Sequence, residues 1–189
     1  MGDLIFQAIF ILLNIILVLS LLGIIGGILF EIFSLVRLFI KLKKSKNQSP
    51  KVYVYYFLMI LCLLIMDVSW VLNFGFIRLI FSFLTLPIIH AIIFIILNGK
   101  ILCKYFDSAK LKLYTVLSFI TYSLSYVFLP DSEEIQSMVF FGLLHGEDVY
   151  YISGILCVIT LTIHITITIF QLLEMNAIKK QNNLNSNFF

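Results

Sequence analysis

Five stretches of apolar residues, each close to the length needed to cross a lipid bilayer, make up most of this sequence. A helix needs roughly 20 apolar residues to cross about 30 Å of hydrocarbon, because each residue advances it by about 1.5 Å. The stretches are continuously apolar and lack the alternating pattern of membrane barrel strands. The sequence therefore predicts an all-α fold, a polytopic helical membrane protein with five transmembrane helices at residues 4–22, 52–74, 76–98, 113–129 and 150–173.

The amino-acid composition excludes an ordinary soluble or disordered protein. Hydrophobic residues make up 61% of the 189 residues and charged residues 12%, whereas soluble domains average about 45–50% and about 25%. The mean hydropathy of +1.09 also excludes a disordered chain. We expect residues 1–180 to form a single transmembrane helical bundle and the Asn-rich residues 181–189 to form a disordered cytoplasmic tail.

The lysines predict how the chain is oriented in the membrane. All of them lie within residues 41–51, 100–112 and 179–180, and five alternating helices place these three segments on one side. Lysine and arginine favour the cytoplasmic side, so the sequence predicts an N-terminus outside and a C-terminus in the cytoplasm. The abundance of Ile, Phe, Lys, Tyr and Asn, whose codons are AT-rich, favours a bacterial cytoplasmic membrane.

The first apolar stretch is too long for one crossing. It continues from residue 4 to residue 40, which is about 55 Å of helix, and Gly23, Gly26 and Gly27 interrupt it. We expect a cytoplasmic interfacial amphipathic helix after these glycines. The alternative is a return of residues 28–40 through the bilayer, which gives six helices with both termini inside. The polar residues that recur there every three or four positions are Glu31, Ser34, Arg37, Lys41 and Lys44.

Two connections between the helices are informative. Residues 73–76, with Gly75 at the turn, are too few for anything but a tight hairpin of antiparallel helices. Residues 131–149 begin and end with acidic residues around seven apolar ones, which are too few to span. We expect this segment to lie in the outer interface.

Four ionisable residues lie at membrane depth, where charges are costly and usually mark function. They are Asp67, Arg78, His90 and His164. The predicted hairpin brings Arg78 beside the helix that carries Asp67, so we expect an Asp67–Arg78 ion pair. Two hypotheses remain for this pair: it pins the hairpin, or it takes part in coupling or ligand binding.

Polar side chains form a stripe on each of the last two predicted helices. The spacing of three or four residues places each stripe on one helical face, which is typical of a packing seam. The alternative is a polar path in which His164 exchanges protons with His90, since imidazole changes charge near neutral pH. Pro87, inside a predicted helix, is expected to bend it. The stripes consist of Thr115, Ser118, Tyr122 and Ser125 and of Ser153, Cys157, Thr160, His164 and Gln171.

The sequence contains no catalytic signature. H-E-x-x-H, G-x-S-x-G and Walker motifs do not occur, so we expect no enzyme, no cofactor, no metal centre and no nucleic-acid partner. The first hypothesis is a membrane protein that acts through helix packing and contacts with another membrane protein or a second copy, as an accessory subunit, assembly factor or immunity-type protein. The alternative is a small proton-coupled carrier or channel that uses Asp67, His90 and His164.

Overall fold

The computed structural model describes residues 2–44, 49–72, 78, 80, 82, 85–132, 137–139 and 143–186. This part of the chain is almost entirely helical. An α-helical bundle is therefore the observed fold class, as predicted. Its helices are α1 (Gly2–Lys44), α2 (Lys51–Leu72), α3 (Leu86–Lys100), α4 (Ala109–Val127) and α5 (Glu147–Ser186), with a π-helical turn, Ile101–Tyr105, that continues α3.

Four of these helices are long and apolar enough to cross a membrane: α1, α2, α3 with its π-helical turn, and α5. Several long apolar helices indicate a membrane-spanning protein. The fourth predicted span, residues 113–129, falls mainly in α4, which has 19 residues and is not among the four. The count of five crossings remains a prediction.

The first apolar stretch forms one continuous helix, so the predicted break at its glycines is wrong. No interfacial helix separates from α1, and the return of residues 28–40 that would make six helices does not occur. Glycines interrupt a helix only weakly, at about 1 kcal/mol each, and here they serve another purpose. A Cβ atom on Gly27 would lie 2.7 Å from Cγ1 of Ile88 on α3, so the missing side chain lets the two helices approach closely.

Within the part of the chain that the structure describes, α1 packs against the other helices through its second half. Gly23 approaches the backbone oxygen of Ser82, and Leu38 and Leu42 are buried in the core. The first half extends past the bundle by residues 2–19, about 27 Å of helix. Within residues 5–19, nearly every described side chain is exposed and apolar.

The lysine-rich helix ends meet at one end of the bundle, which we call the lysine end. Phe39 near the end of α1 contacts Tyr53 near the start of α2, with ring centroids 6.4 Å apart. Tyr55 contacts Phe106 after α3 at 5.1 Å, and Lys110 at the start of α4 pairs with Glu174 on α5 at 3.9 Å. The alternation of helix direction therefore agrees with the predicted clustering of lysines.

The third predicted span begins later than expected. Thr85 has a left-handed backbone (φ 56°) and caps α3, which starts at Leu86 rather than at residue 76. Pro87 consequently lies in the first turn of α3, where its missing N–H has no helical partner to lose. The prediction that Pro87 bends a helix interior is wrong. The predicted hairpin turn with Gly75 lies outside the described residues.

Between α4 and α5, the described residues form a small antiparallel sheet. Its strands, in the order β1-β2-β3, are Asp131–Ser132, Ser137–Val139 and Leu144–His145. The expected position of this segment in the outer interface stays a prediction. The predicted disordered tail is helical as far as Ser186, because no proline or glycine stops α5. Residues 187–189 lie outside the described part of the chain.

Candidate functional site

Arg78 is fully buried at the end of the bundle opposite the lysine end, and its partner is Asp131. The Nε atom of Arg78 lies 3.7 Å from Oδ2 of Asp131, which also accepts the Arg78 backbone N–H at 3.1 Å. The predicted Asp67–Arg78 ion pair is therefore wrong. Asp131 therefore supplies the counter-charge of the buried guanidinium.

The guanidinium of Arg78 also binds the C-terminal ends of two helices. Nη1 donates to the backbone oxygen of Ser69 in the last turn of α2, and Nη2 donates to those of Tyr126 (3.4 Å) and Leu129 (2.7 Å) at the end of α4. Helix ends leave carbonyl groups without partners and carry partial negative charge. Arg78 supplies hydrogen-bond donors to these carbonyl groups and a positive charge beside the helix ends. It also stacks over Trp70 at 5.4 Å from the ring centroid.

Asp67 lies near the carboxyl group of Glu31 on α1, with which it interacts electrostatically. Both side chains line a small cavity of about 30 Å³, here called the acidic cavity, between α1, α2 and the start of α3. Trp70 and Ser82 form another part of the wall, where the indole Nε1 donates to the serine Oγ at 2.8 Å. Glu31 is only 5% exposed. The sequence prediction missed its burial, because the polar periodicity after the glycines indicated a surface helix.

The structure brings His90 and His164 together in the core, as the hypothesis of a polar path requires. Their ring centroids lie 5.0 Å apart. His90 Nδ1 is 2.7 Å from the hydroxyl oxygen of Tyr126, and His164 Nδ1 is 3.2 Å from Oγ1 of Thr121. The ring of Tyr122 lies beside both histidines, at centroid distances of 4.9 and 5.5 Å.

His90 also lines a larger cavity of about 340 Å³, which we call the histidine cavity. Its wall is mostly apolar and comes from α2, α3, α4 and α5. Leu86 and Ile165 belong to the wall and are themselves exposed, so the cavity opens sideways between α3 and α5. The remaining polar groups of the wall include Ser125, Tyr126 and Cys157.

The predicted seam between the two polar stripes is confirmed, since α4 and α5 pack along it. Ser153 and Cys157 on α5 donate hydrogen bonds to the backbone oxygens of Phe128 (2.9 Å) and Ser125 (3.3 Å) at the end of α4. Thr160 and Ser125 bond within their own helices. Ser118 is buried, and its hydroxyl has no hydrogen-bond partner within the described residues.

A further polar cluster lies nearer the lysine end. The fully buried side chain of Gln171 donates to Oδ1 of Asn98 at 3.1 Å and to Oγ1 of Thr115 at 3.4 Å. The cluster joins α3, α4 and α5. The spacing on α5 indicated Gln171, but Asn98 stood at the end of a predicted span and gave no sign of burial.

Comparison with known proteins gives no match: no protein-family model, no curated protein and no solved structure is significantly similar to the chain. The structure separates the four ionisable candidates into three places. Arg78 is buried against Asp131, Asp67 lines the acidic cavity, and both histidines lie beside the histidine cavity. The carboxyl groups of Asp67 and Glu31 and the imidazoles of the two histidines can each hold or release a proton or bind a polar group of a ligand.

Proposed function

We propose that the protein is a small proton-coupled membrane carrier that binds a largely apolar solute in the histidine cavity. The observation that carries this proposal is the position of His90, which lines the cavity and touches the ring of His164 behind it. Ligand pockets commonly enclose about 300–1,000 Å³ and combine an apolar wall with a few polar groups that orient the ligand. The histidine cavity has this size and this composition, and His90 supplies the orienting group.

The proton would move between the solute and the histidine pair. A solute with one hydrogen-bonding group can exchange a proton with His90, and His164 is close enough to share the charge. The hydroxyl groups of Tyr126 and Thr121 bond to Nδ1 of the two rings and fix their orientation. The role is non-enzymatic, because transport changes no covalent bond of the solute apart from the exchange of a proton.

We further propose five crossings of a bacterial cytoplasmic membrane, with the N-terminus outside and the lysine end in the cytoplasm. Although α4 is less apolar, its 19 residues extend about 28 Å, which matches the hydrocarbon thickness. Its polar residues face α2 and α5 rather than lipid, as the buried side chains of Thr115 and Tyr122 illustrate.

Proton movement in liposomes tests the carrier proposal. The protein is reconstituted in liposomes that contain a pH-sensitive dye, and a potassium diffusion potential is applied in the presence of phenol, benzylamine or octanol as probe solutes. We expect at least one probe to produce proton movement above that of protein-free liposomes. We also expect His90→Leu and His164→Leu to reduce this movement to the protein-free rate.

His145→Gln is the matched control, because this third histidine belongs to β3, in the segment between α4 and α5, and not to the helices that carry His90 and His164. It should retain the native rate. The carrier proposal fails if the native chain equals protein-free liposomes with every probe, or if both core histidine variants transport as well as the native chain.

A second candidate function, contact with another membrane protein or a second copy, is favoured by the first half of α1. Residues 20–42 of α1 already extend about 33 Å along the bundle, which is the whole hydrocarbon thickness. The apolar side chains of residues 5–19 are uncovered by this chain and need lipid or protein around them. A variant that lacks residues 2–19 should lose a stoichiometric membrane partner, or its dimeric state, if contact is the function.

A further inference from the structure

We propose that Glu31 and Asp67 form a monovalent-cation site, which binds one sodium ion in exchange for one proton. The site is the acidic cavity between α1, α2 and the start of α3. The proposal goes beyond the carrier function, since the histidines belong to a separate cavity.

The carboxyl group of Glu31 is buried without a partner among the described residues. Glu31 is 95% buried and lines the cavity, and no hydrogen bond or salt bridge joins it or Asp67 to another described residue. Buried polar groups nearly always have partners, and an isolated buried charge is strongly unfavourable. A ligand in the cavity supplies the partner that the described residues do not.

The chemistry and size of the acidic cavity suit a sodium ion. It offers carboxylate oxygens and the hydroxyl oxygen of Ser82, which are hard ligands suited to Na⁺ rather than to a soft transition metal. Calcium needs six to eight oxygen ligands, and magnesium keeps several waters. A space of about 30 Å³ admits about two water molecules, so it has no room for a divalent ion with its hydration shell.

Charge balance also favours a cation in the acidic cavity. Arg78 lies at this end of the bundle, but Asp131 and three backbone carbonyls already engage its guanidinium. Glu31 interacts electrostatically with Asp67 on α2 and with the phenols of Tyr122 and Tyr126 on α4, none of which is positive. From α3, Pro87 and Ile88 complete the wall without charge. Two protons, or one proton and one sodium ion, make the carboxyl pair neutral.

Exchange between these two neutral states is therefore the expected behaviour. Sodium enters as one proton leaves, so the net charge of the site does not change. Binding of sodium should weaken as the pH falls, approaching about tenfold per pH unit where the site is protonated.

The single tryptophan of the chain lies in the wall of the cavity and provides the signal. Trp70 fluorescence of the purified full-length protein in detergent is titrated with NaCl against KCl and choline chloride at constant ionic strength. Proton release is followed with a pH dye in weak buffer. We expect a saturable change with sodium alone and release of about one proton per chain.

Glu31→Gln and Asp67→Asn should each abolish both signals. Glu174→Gln is the control. Glu174 lies on α5, outside the acidic cavity, and pairs with Lys110 on α4. If either variant fails to give a single peak on size exclusion, the proton release of the native chain decides alone.

Three results overturn the proposal: no saturable sodium response in the native chain at pH 8, an equal response to potassium or choline, or a sodium response without proton release. Native-like responses of both Glu31→Gln and Asp67→Asn also overturn it. His90→Leu should keep the sodium response, so failure of the carrier proposal and failure of the cation site give different results.

Discussion

Replacing Arg78 with methionine is expected to lower the free energy of unfolding by about 3–5 kcal/mol. The substitution leaves the buried carboxylate of Asp131 without its cation. It also removes the donors to the backbone oxygens of Ser69, Tyr126 and Leu129 at two helix ends. Equilibrium unfolding by SDS, followed through Trp70 fluorescence, measures the change.

Two further variants test the cause of this loss. Arg37→Met removes an exposed arginine from α1 and should change the stability by less than about 0.5 kcal/mol. The double variant Arg78→Met/Asp131→Leu removes both buried charges and should recover part of the loss, since apolar replacements of buried pairs are often tolerated. If the free energy of unfolding of Arg78→Met equalled that of the native chain, the stabilising role of the Arg78 contacts would be contradicted.

Replacing Phe94 with alanine is expected to lower the free energy of unfolding by about 3 kcal/mol. Phe94 is 2% exposed, and its ring stacks on Tyr122 at 4.0 Å between centroids. Inside a bilayer the hydrophobic effect does not hold helices together, so the cost comes from lost packing contacts and the remaining cavity. The same SDS titration measures it.

Ile93 provides the control for this substitution, because it is the preceding residue on α3 and is 49% exposed. Its side chain faces outward, where lipid replaces it after truncation. Ile93→Ala should therefore cost less than about 0.5 kcal/mol. Equal losses for the two alanine variants would show that α3 does not present these faces to the core and to lipid.

The apolar helices and the clustered lysines could be predicted from the sequence, because both depend on properties that are local along the chain. Apolar length sets whether a segment can cross, and the lysine positions set which helix ends meet. The seam between α4 and α5 was also predictable, since the spacing of His164 and Thr115 with their neighbours follows one helical face.

The partners of the buried charges could not be predicted, because they depend on contacts between distant segments. Arg78 and Asp131 are 53 residues apart and meet only when the ends of α2 and α4 lie side by side. Glu31 had the spacing of a surface residue, yet the packing of α1 against α3 at Gly27 turns it inward. Thr85, whose left-handed backbone precedes the first residue of α3, is a threonine. Glycine and asparagine are the residues that usually mark this conformation in a sequence.

The account as a whole requires a chain that crosses the membrane with its lysine end in the cytoplasm. Cysteine labelling in intact bacterial cells tests this requirement most directly, with Lys110→Cys and Asp148→Cys each placed in a Cys103→Ser background. A membrane-impermeant maleimide should modify residue 148 in intact cells and residue 110 only after permeabilisation. Labelling of residue 110 in intact cells, or of neither residue until the cells are opened, would contradict the account.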